Sequence, residues 1–84
     1  MKLTRKGLSN TMTKTDKVDQ IENNFKHHPP KGDQAERYGS IRHDAKQLAH
    51  LIDNYCPNGR EKSLAMTKLE EAVFWANASI ARNE

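Results

Sequence analysis

The most constraining feature of this sequence is a turn between two long runs of helical periodicity. Pro57, Asn58 and Gly59 favour a tight turn, because proline ends a helix and asparagine and glycine are common turn residues. On both sides of the turn, apolar residues recur at steps of three and four. They are Tyr38, Ile41, Ala45, Leu48, Ile52 and Tyr55 before it, and Met66, Leu69, Val73, Ala76 and Ile80 after it. The pattern predicts two antiparallel helices packed along these stripes.

A shorter helix is predicted upstream of this hairpin. Its apolar residues at helical spacing are Val18, Ile21 and Phe25. Thr15 or Asp16 is expected to cap its first turn, and the pair Pro29-Pro30 is expected to end it.

These signals together predict an all-α fold. The predicted helices span residues 16–26, 34–55 and 60–82. Asp33 and Glu36 have the spacing of a capping box at the start of the second helix. Residues 1–14 are predicted to be a disordered basic tail, and residues 15–84 one helical domain in which a short helix precedes the hairpin.

The third helix carries more apolar surface than one neighbour can cover. Besides its stripe it contains Leu64, Ala65, Ala72, Phe74, Trp75 and Ala78. A helix that is apolar on several sides must be buried on several sides. A chain of 84 residues offers only one long partner helix, so the sequence predicts a homo-oligomer.

Composition narrows the class of partner. The net charge of +3 is compatible with a ligand that carries phosphate, but it is too small for a protein dedicated to duplex DNA. No apolar stretch approaches the roughly 20 residues that cross a bilayer, so no membrane partner is expected. The single cysteine, Cys56, excludes an intrachain disulfide and favours a cytosolic setting.

Catalysis, metals and cofactors are not expected. The sequence contains neither a glycine-rich phosphate loop nor a nucleophile turn. His27 and His28 are adjacent on a loop, which is poor geometry for a metal unless other ligands converge on it. We therefore expect a binding protein rather than an enzyme.

Cationic and aromatic residues cluster where the second helix begins. They are Lys31, Arg37, Tyr38 and Arg42. Stacking on an aromatic ring combined with charge neutralisation is a common way to hold nucleotides. The alternative is that Tyr38 belongs to the core and that both arginines are solvated.

Polar residues also form a stripe on the third helix. They are Arg60, Ser63, Thr67, Glu70 and Asn77. In so apolar a helix they must pair with each other, with another chain or with a ligand, and Arg60 is suited to phosphate. The alternative is a structural network at the interface between copies.

Residues 56–82 resemble the helical-hairpin domain of phage anti-CBASS and anti-Thoeris sponge proteins. Upstream segments resemble the shorter, all-helical anti-CBASS branch, and the resemblance covers residues 18–84. These segments are residues 25–28, 30–31, 36–38 and 41–42.

The resemblance implies a small hexamer that sequesters cyclic nucleotide immune messengers intact in the cytoplasm of the infected bacterium. It implies two kinds of pocket. By position, a cyclic dinucleotide would meet His27, Lys31, Arg37, Tyr38 and Arg42. A cyclic trinucleotide would meet Arg60, Ser63, Thr67, Glu70 and Arg82.

Three alternative functions stay open. The anti-Thoeris branch implies a sponge for signals of the cyclic ADP-ribose type, although its members carry strand-forming sequence that this chain lacks. A helical interaction module without a small ligand would explain the apolar third helix. A weak binder of single-stranded nucleic acid would explain the basic tail.

Overall fold

The computed structural model describes residues 14–84 and contains three helices in that part of the chain. They are α1 (Lys14–Asn24), α2 (Gln34–Tyr55) and α3 (Arg60–Asn83). Helices α2 and α3 contact each other as a hairpin, and residues 14–84 include no strand. The all-α prediction of a short helix followed by a hairpin is confirmed. Of the predicted tail, only Lys14 lies within the described residues, where it begins α1.

Helix α1 differs from its prediction at both ends. The expected caps, Thr15 and Asp16, are wrong, because both residues lie inside the first turn. There the carboxylate of Asp16 is placed favourably toward the positive end of the helix dipole. The helix also ends at Asn24, well before the proline pair. The ring Nε2 of His28 bonds the carbonyl oxygen of Asn23 at 2.8 Å, so a side chain satisfies this helix end.

The predicted capping box at the start of α2 is also wrong. Asp33 occupies the N-cap position but makes no capping hydrogen bond with its side chain. Its Oδ1 instead accepts a hydrogen bond from Arg37 Nε at 3.1 Å. The turn that leads into α2 is closed by Gln34. Its Oε1 accepts a hydrogen bond from the backbone amide of Lys31 at 3.1 Å. Gly32 makes this turn possible, because its φ of 57° is a left-handed conformation that glycine adopts easily.

The turn between α2 and α3 is closed by one lysine. Lys62 Nζ donates to the carbonyl oxygen of Asp53 at 3.0 Å and to Asn58 Oδ1 at 3.0 Å. It also forms an ion pair with the Asp53 carboxylate at 3.0 Å. The backbone amide of Cys56 bonds the Ile52 carbonyl at 3.0 Å, which completes the last turn of α2.

The hairpin by itself builds no closed core. Among the described residues no apolar side chain is fully buried, and the stripe residues between α2 and α3 are partly buried or exposed. Phe74 and Trp75 are 67% and 64% exposed. Two helices cover only one stripe of each other, so the rest of the apolar surface of α3 faces outward. None of the described helices is long and apolar enough to cross a membrane.

Candidate functional site

The end of α3 meets α1 and the loop before α2 at the open end of the hairpin, opposite the turn. Asn23 Nδ2 donates to the carbonyl oxygen of Arg82 at 3.1 Å. Lys31 Nζ donates to the carbonyl oxygen of Glu84 at 2.9 Å. The last carbonyls of a helix have no partner within it, so these side chains act as its C-terminal caps. The same bonds fasten α1 and the loop to the hairpin.

The Glu84 carboxylate is the most densely bonded group at this end. Arg37 holds it with two guanidinium nitrogens, of which Nη1 donates to Oε2 at 2.8 Å. Gln34 Nε2 donates to Oε1 at 3.1 Å, and Gln34 is only 4% exposed. We call Lys31, Gln34 and Arg37 the Glu84 clamp. A paired guanidinium fork of this kind is the usual protein ligand for a carboxylate or a phosphate.

The clamp changes the ionisation of both partners. The hydrogen bond from Arg37, followed by that from Gln34, lowers the pKa of Glu84 to about 2. The hydrogen bond to Glu84 raises the pKa of Arg37 above its already high value. Both groups are therefore charged across the physiological pH range.

Two cavities lie at this end of the hairpin, and the first adjoins the clamp. The first, of about 370 Å³, is lined by His27, Lys31 and Arg82 together with Gln34 and Glu84. Its basic side chains make this recess attractive to an anion.

The second cavity, of about 540 Å³, shares His28 and Arg82 with the first. Its other lining residues include Tyr38, Arg42 and Asn77. The Oδ1 atom of Asn77 is shielded from solvent and has no hydrogen-bond partner. Arg82 also lies 5.9 Å from the ring centroid of Trp75, a cation–π distance that turns this arginine toward the aromatic face of α3.

The residues predicted for a cyclic dinucleotide lie at this end of the hairpin. His27 and Lys31 line the first cavity, while Tyr38 and Arg42 line the second. Arg37 is engaged by Glu84 and by Asp33. The structure thus brings four of the five predicted residues to adjoining cavities, and it shows what holds the fifth.

The residues predicted for a cyclic trinucleotide are spread out in a single chain. Arg60 and Arg82 lie at opposite ends of α3, about 33 Å apart at 1.5 Å per residue. Arg82 joins the two cavities at the open end, while Glu70 lines a separate groove with Arg42. This set does not form one pocket within the chain.

Three residues of the site carry no recognisable sequence signal. Gln34 and Glu84 lie 50 residues apart, and no local pattern pairs them. In the sequence His28 stands out only beside His27 as a metal ligand, but in the structure it caps α1 and lines both cavities. Among the described residues, no group of His, Cys, Asp or Glu is arranged to hold a metal ion.

The fold and the site define a small helical-hairpin domain with a cationic recess at its open end. A family model described as Acb2/Tad1, hairpin domain, matches residues 17–81. Because the match covers most of the chain, this protein belongs to the Acb2/Tad1 hairpin family, which confirms the resemblance to anti-CBASS and anti-Thoeris sponge proteins. Searches of curated proteins and of solved structures found no match. The family is a sponge-type domain of phage proteins that binds small signalling molecules.

Proposed function

We propose that this protein binds cyclic oligonucleotide immune messengers and sequesters them without cleavage. It would thereby block CBASS-type signalling in the cytoplasm of the infected bacterium. The observation that carries the proposal is the grouping of Lys31, Tyr38, Arg42 and Arg82 around two adjoining cavities in a chain of a sponge family.

The chemistry of the two cavities suits a cyclic dinucleotide. Lys31, Arg42 and Arg82 supply positive charge for the phosphates. Tyr38 and Phe74 supply aromatic faces on which bases stack. Volumes of about 370 and 540 Å³ fall within the usual range for small-molecule sites.

Self-association is part of the proposal, and a hexamer is the form that we propose. The exposure of Trp75 supports it, because a single chain leaves this ring in water. Association would also bring the start of α3 from one copy near other copies. In this way Arg60, Ser63 and Thr67 would obtain the partners for a cyclic trinucleotide pocket that one chain does not provide.

Calorimetry of the purified full chain tests the proposal directly. The titrants are cyclic dinucleotides, cyclic trinucleotides, cyclic ADP-ribose and a linear oligonucleotide of matched charge. We expect saturable binding of at least one cyclic oligonucleotide and weak binding of the linear control. Preference for cyclic ADP-ribose would instead assign the chain to the other branch of the family.

A release experiment tests sequestration against turnover. The complex is incubated, denatured by heat and analysed by chromatography. We expect the cyclic nucleotide to return intact at every time point. Linear product that accumulates in proportion to protein concentration would contradict a sponge.

The exposed apolar surface of α3 supports one alternative, a helical interaction module without a small ligand. An oligomer that binds none of the four titrants would favour this alternative.

A further inference from the structure

The Glu84 clamp has the geometry of an oxyanion site. Two guanidinium nitrogens of Arg37 and the side-chain amide of Gln34 donate to one carboxylate. Lys31 adds an ammonium group that bonds the backbone of the same residue. A phosphate presents oxygens to a guanidinium fork in much the same way as a carboxylate does. The site is therefore built for an anion, and a side chain of the chain itself fills it.

Gln34 shows that the site is fixed before any ligand arrives. Within residues 16–84 it is the only buried residue, at 4% exposure. Its Oε1 accepts from the Lys31 amide at 3.1 Å, which orients its Nε2 toward Glu84. Because both polar atoms of the Gln34 side chain make hydrogen bonds, this side chain loses little conformational entropy when one anion replaces another.

The site opens onto the first cavity. Lys31, Gln34 and Glu84 line that cavity together with His27 and Arg82. A ligand that enters it meets the clamp directly, but it finds Arg37 already paired. The Glu84 carboxylate adds negative charge where a phosphate would bind.

Displacing the Glu84 side chain from the clamp costs little free energy. The side chains of Arg37 and Glu84 are 40% and 41% exposed, and ion pairs this open to water are weak. Glu84 also follows the last residue of α3, so its side chain can turn into solvent without unwinding the helix. A phosphate that takes its place restores the hydrogen bonds of Arg37 and Gln34.

We propose that Lys31, Gln34 and Arg37 form a binding site for a phosphate group of the ligand, and that Glu84 is its internal occupant. The ligand can bind only while Glu84 is out of the site. The apparent affinity is therefore the intrinsic affinity multiplied by the fraction of time that the site is free. The identity of the ligand rests on the proposed function, whereas the oxyanion site does not.

Calorimetry with 3′,3′-linked cyclic diadenylate tests the competition. We compare the full chain with Glu84→Gln and with a matched control, Glu61→Gln, which removes one charge from the opposite end of α3. Glu84→Gln is expected to bind about two- to fivefold more tightly, the factor that corresponds to a weak exposed ion pair. Glu61→Gln is expected to bind like the parent chain. In an Arg37→Ala background, the gain from Glu84→Gln is expected to vanish.

Three results would overturn the proposal. They are unchanged binding by Glu84→Gln, weaker binding by Glu84→Gln, and an equal gain in Glu61→Gln. Weaker binding would mean that Glu84 positions the loop instead of competing with the ligand. Circular dichroism of each variant confirms that the helices are intact before titration.

Inorganic phosphate provides a second readout that does not depend on the proposed function. Its titration is followed by the NMR signals of the Gln34 side-chain amide and of Arg37 Nε. We expect both signals to shift at lower phosphate concentration in Glu84→Gln than in the parent chain. If no cyclic oligonucleotide binds any variant but these signals shift, the proposed function fails and the oxyanion site stands. If phosphate moves neither signal in Glu84→Gln, the oxyanion site is refuted.

Discussion

Polar contacts hold both ends of the hairpin, but they are local in sequence at the turn and long-range in sequence at the open end. At the turn, Lys62 bonds Asn58 and Asp53, which lie four and nine residues away. At the open end, Arg37 bonds Glu84 across 47 residues, and Asn23 bonds Arg82 across 59. The local contacts shape only the turn. The distant contacts join three segments and surround a recess, which is why the candidate site lies at the open end.

The largest expected difference between the two ends is the effect of substitutions in the apolar surface of α3 on self-association. Trp75 is 64% exposed in the single chain, while Leu64, near the turn, is 42% exposed. If copies cover this face, Trp75→Ala should weaken self-association by about 3–5 kcal/mol, the usual cost of removing a buried aromatic ring. We expect Leu64→Ala to cost less. Light scattering across a dilution series measures both.

A parent chain that scatters as a monomer at micromolar concentration would contradict this prediction. Equal effects of the two substitutions would mean that the interface follows the whole of α3.

Substitutions at the two ends should also differ in their effect on ligand binding, by a somewhat smaller free energy. Arg42 lines the cavity at the open end, whereas Arg60 begins α3 beside the turn. Arg42→Ala should weaken cyclic dinucleotide binding by about 1.5–3 kcal/mol, the value of a hydrogen bond to a charged group, and spare the trinucleotide. Arg60→Ala should do the reverse. Calorimetry with both ligands gives the four affinities.

One arginine substitution that abolishes both ligands while the oligomer persists would refute separate pockets. It would leave sequestration itself untouched.

The contrast between the ends also explains what the sequence was able to predict. The helices were predictable because their apolar spacing and proline signals are local, and the turn was predictable for the same reason. The predicted capping box is wrong because the Asp33 carboxylate accepts a hydrogen bond from Arg37 instead. Arg37 is almost as near in the sequence as the expected capping partner, and residue types alone do not show which of the two local bonds forms. The placement of Lys31 and Arg42 at the open end is predictable from charge and position. Gln34 and Glu84 were missed because their roles exist only once the ends of the hairpin meet.

The turn should tolerate the loss of its lysine with a modest effect. Lys62→Met removes an ion pair and two hydrogen bonds but keeps much of the apolar stem of the side chain. We expect the free energy of unfolding to fall by about 1 kcal/mol or less, because Asp53 is largely exposed. Affinity for a cyclic dinucleotide should not change. Denaturant unfolding and calorimetry on the same sample test both statements, and a loss of affinity would show that the two ends are coupled.

The smallest expected effect is the pH dependence of the Glu84 clamp. The pKa of Glu84 is lowered from 4.5 to about 2, first by the hydrogen bond from Arg37. A carboxyl whose pKa is lower in the folded state than in the unfolded state stabilises the fold above its unfolded pKa. That stabilisation is lost as the pH falls through the folded value. The Tm difference between the parent chain and Glu84→Gln should therefore be constant from pH 7 to about 5, and it should shrink between about pH 4.5 and 2. Glu61→Gln serves as the control, since it removes a carboxyl group at the opposite end of α3, away from the clamp. A Tm difference for Glu84→Gln that persists unchanged to pH 2 would mean that the Glu84 carboxylate contributes nothing through its charge.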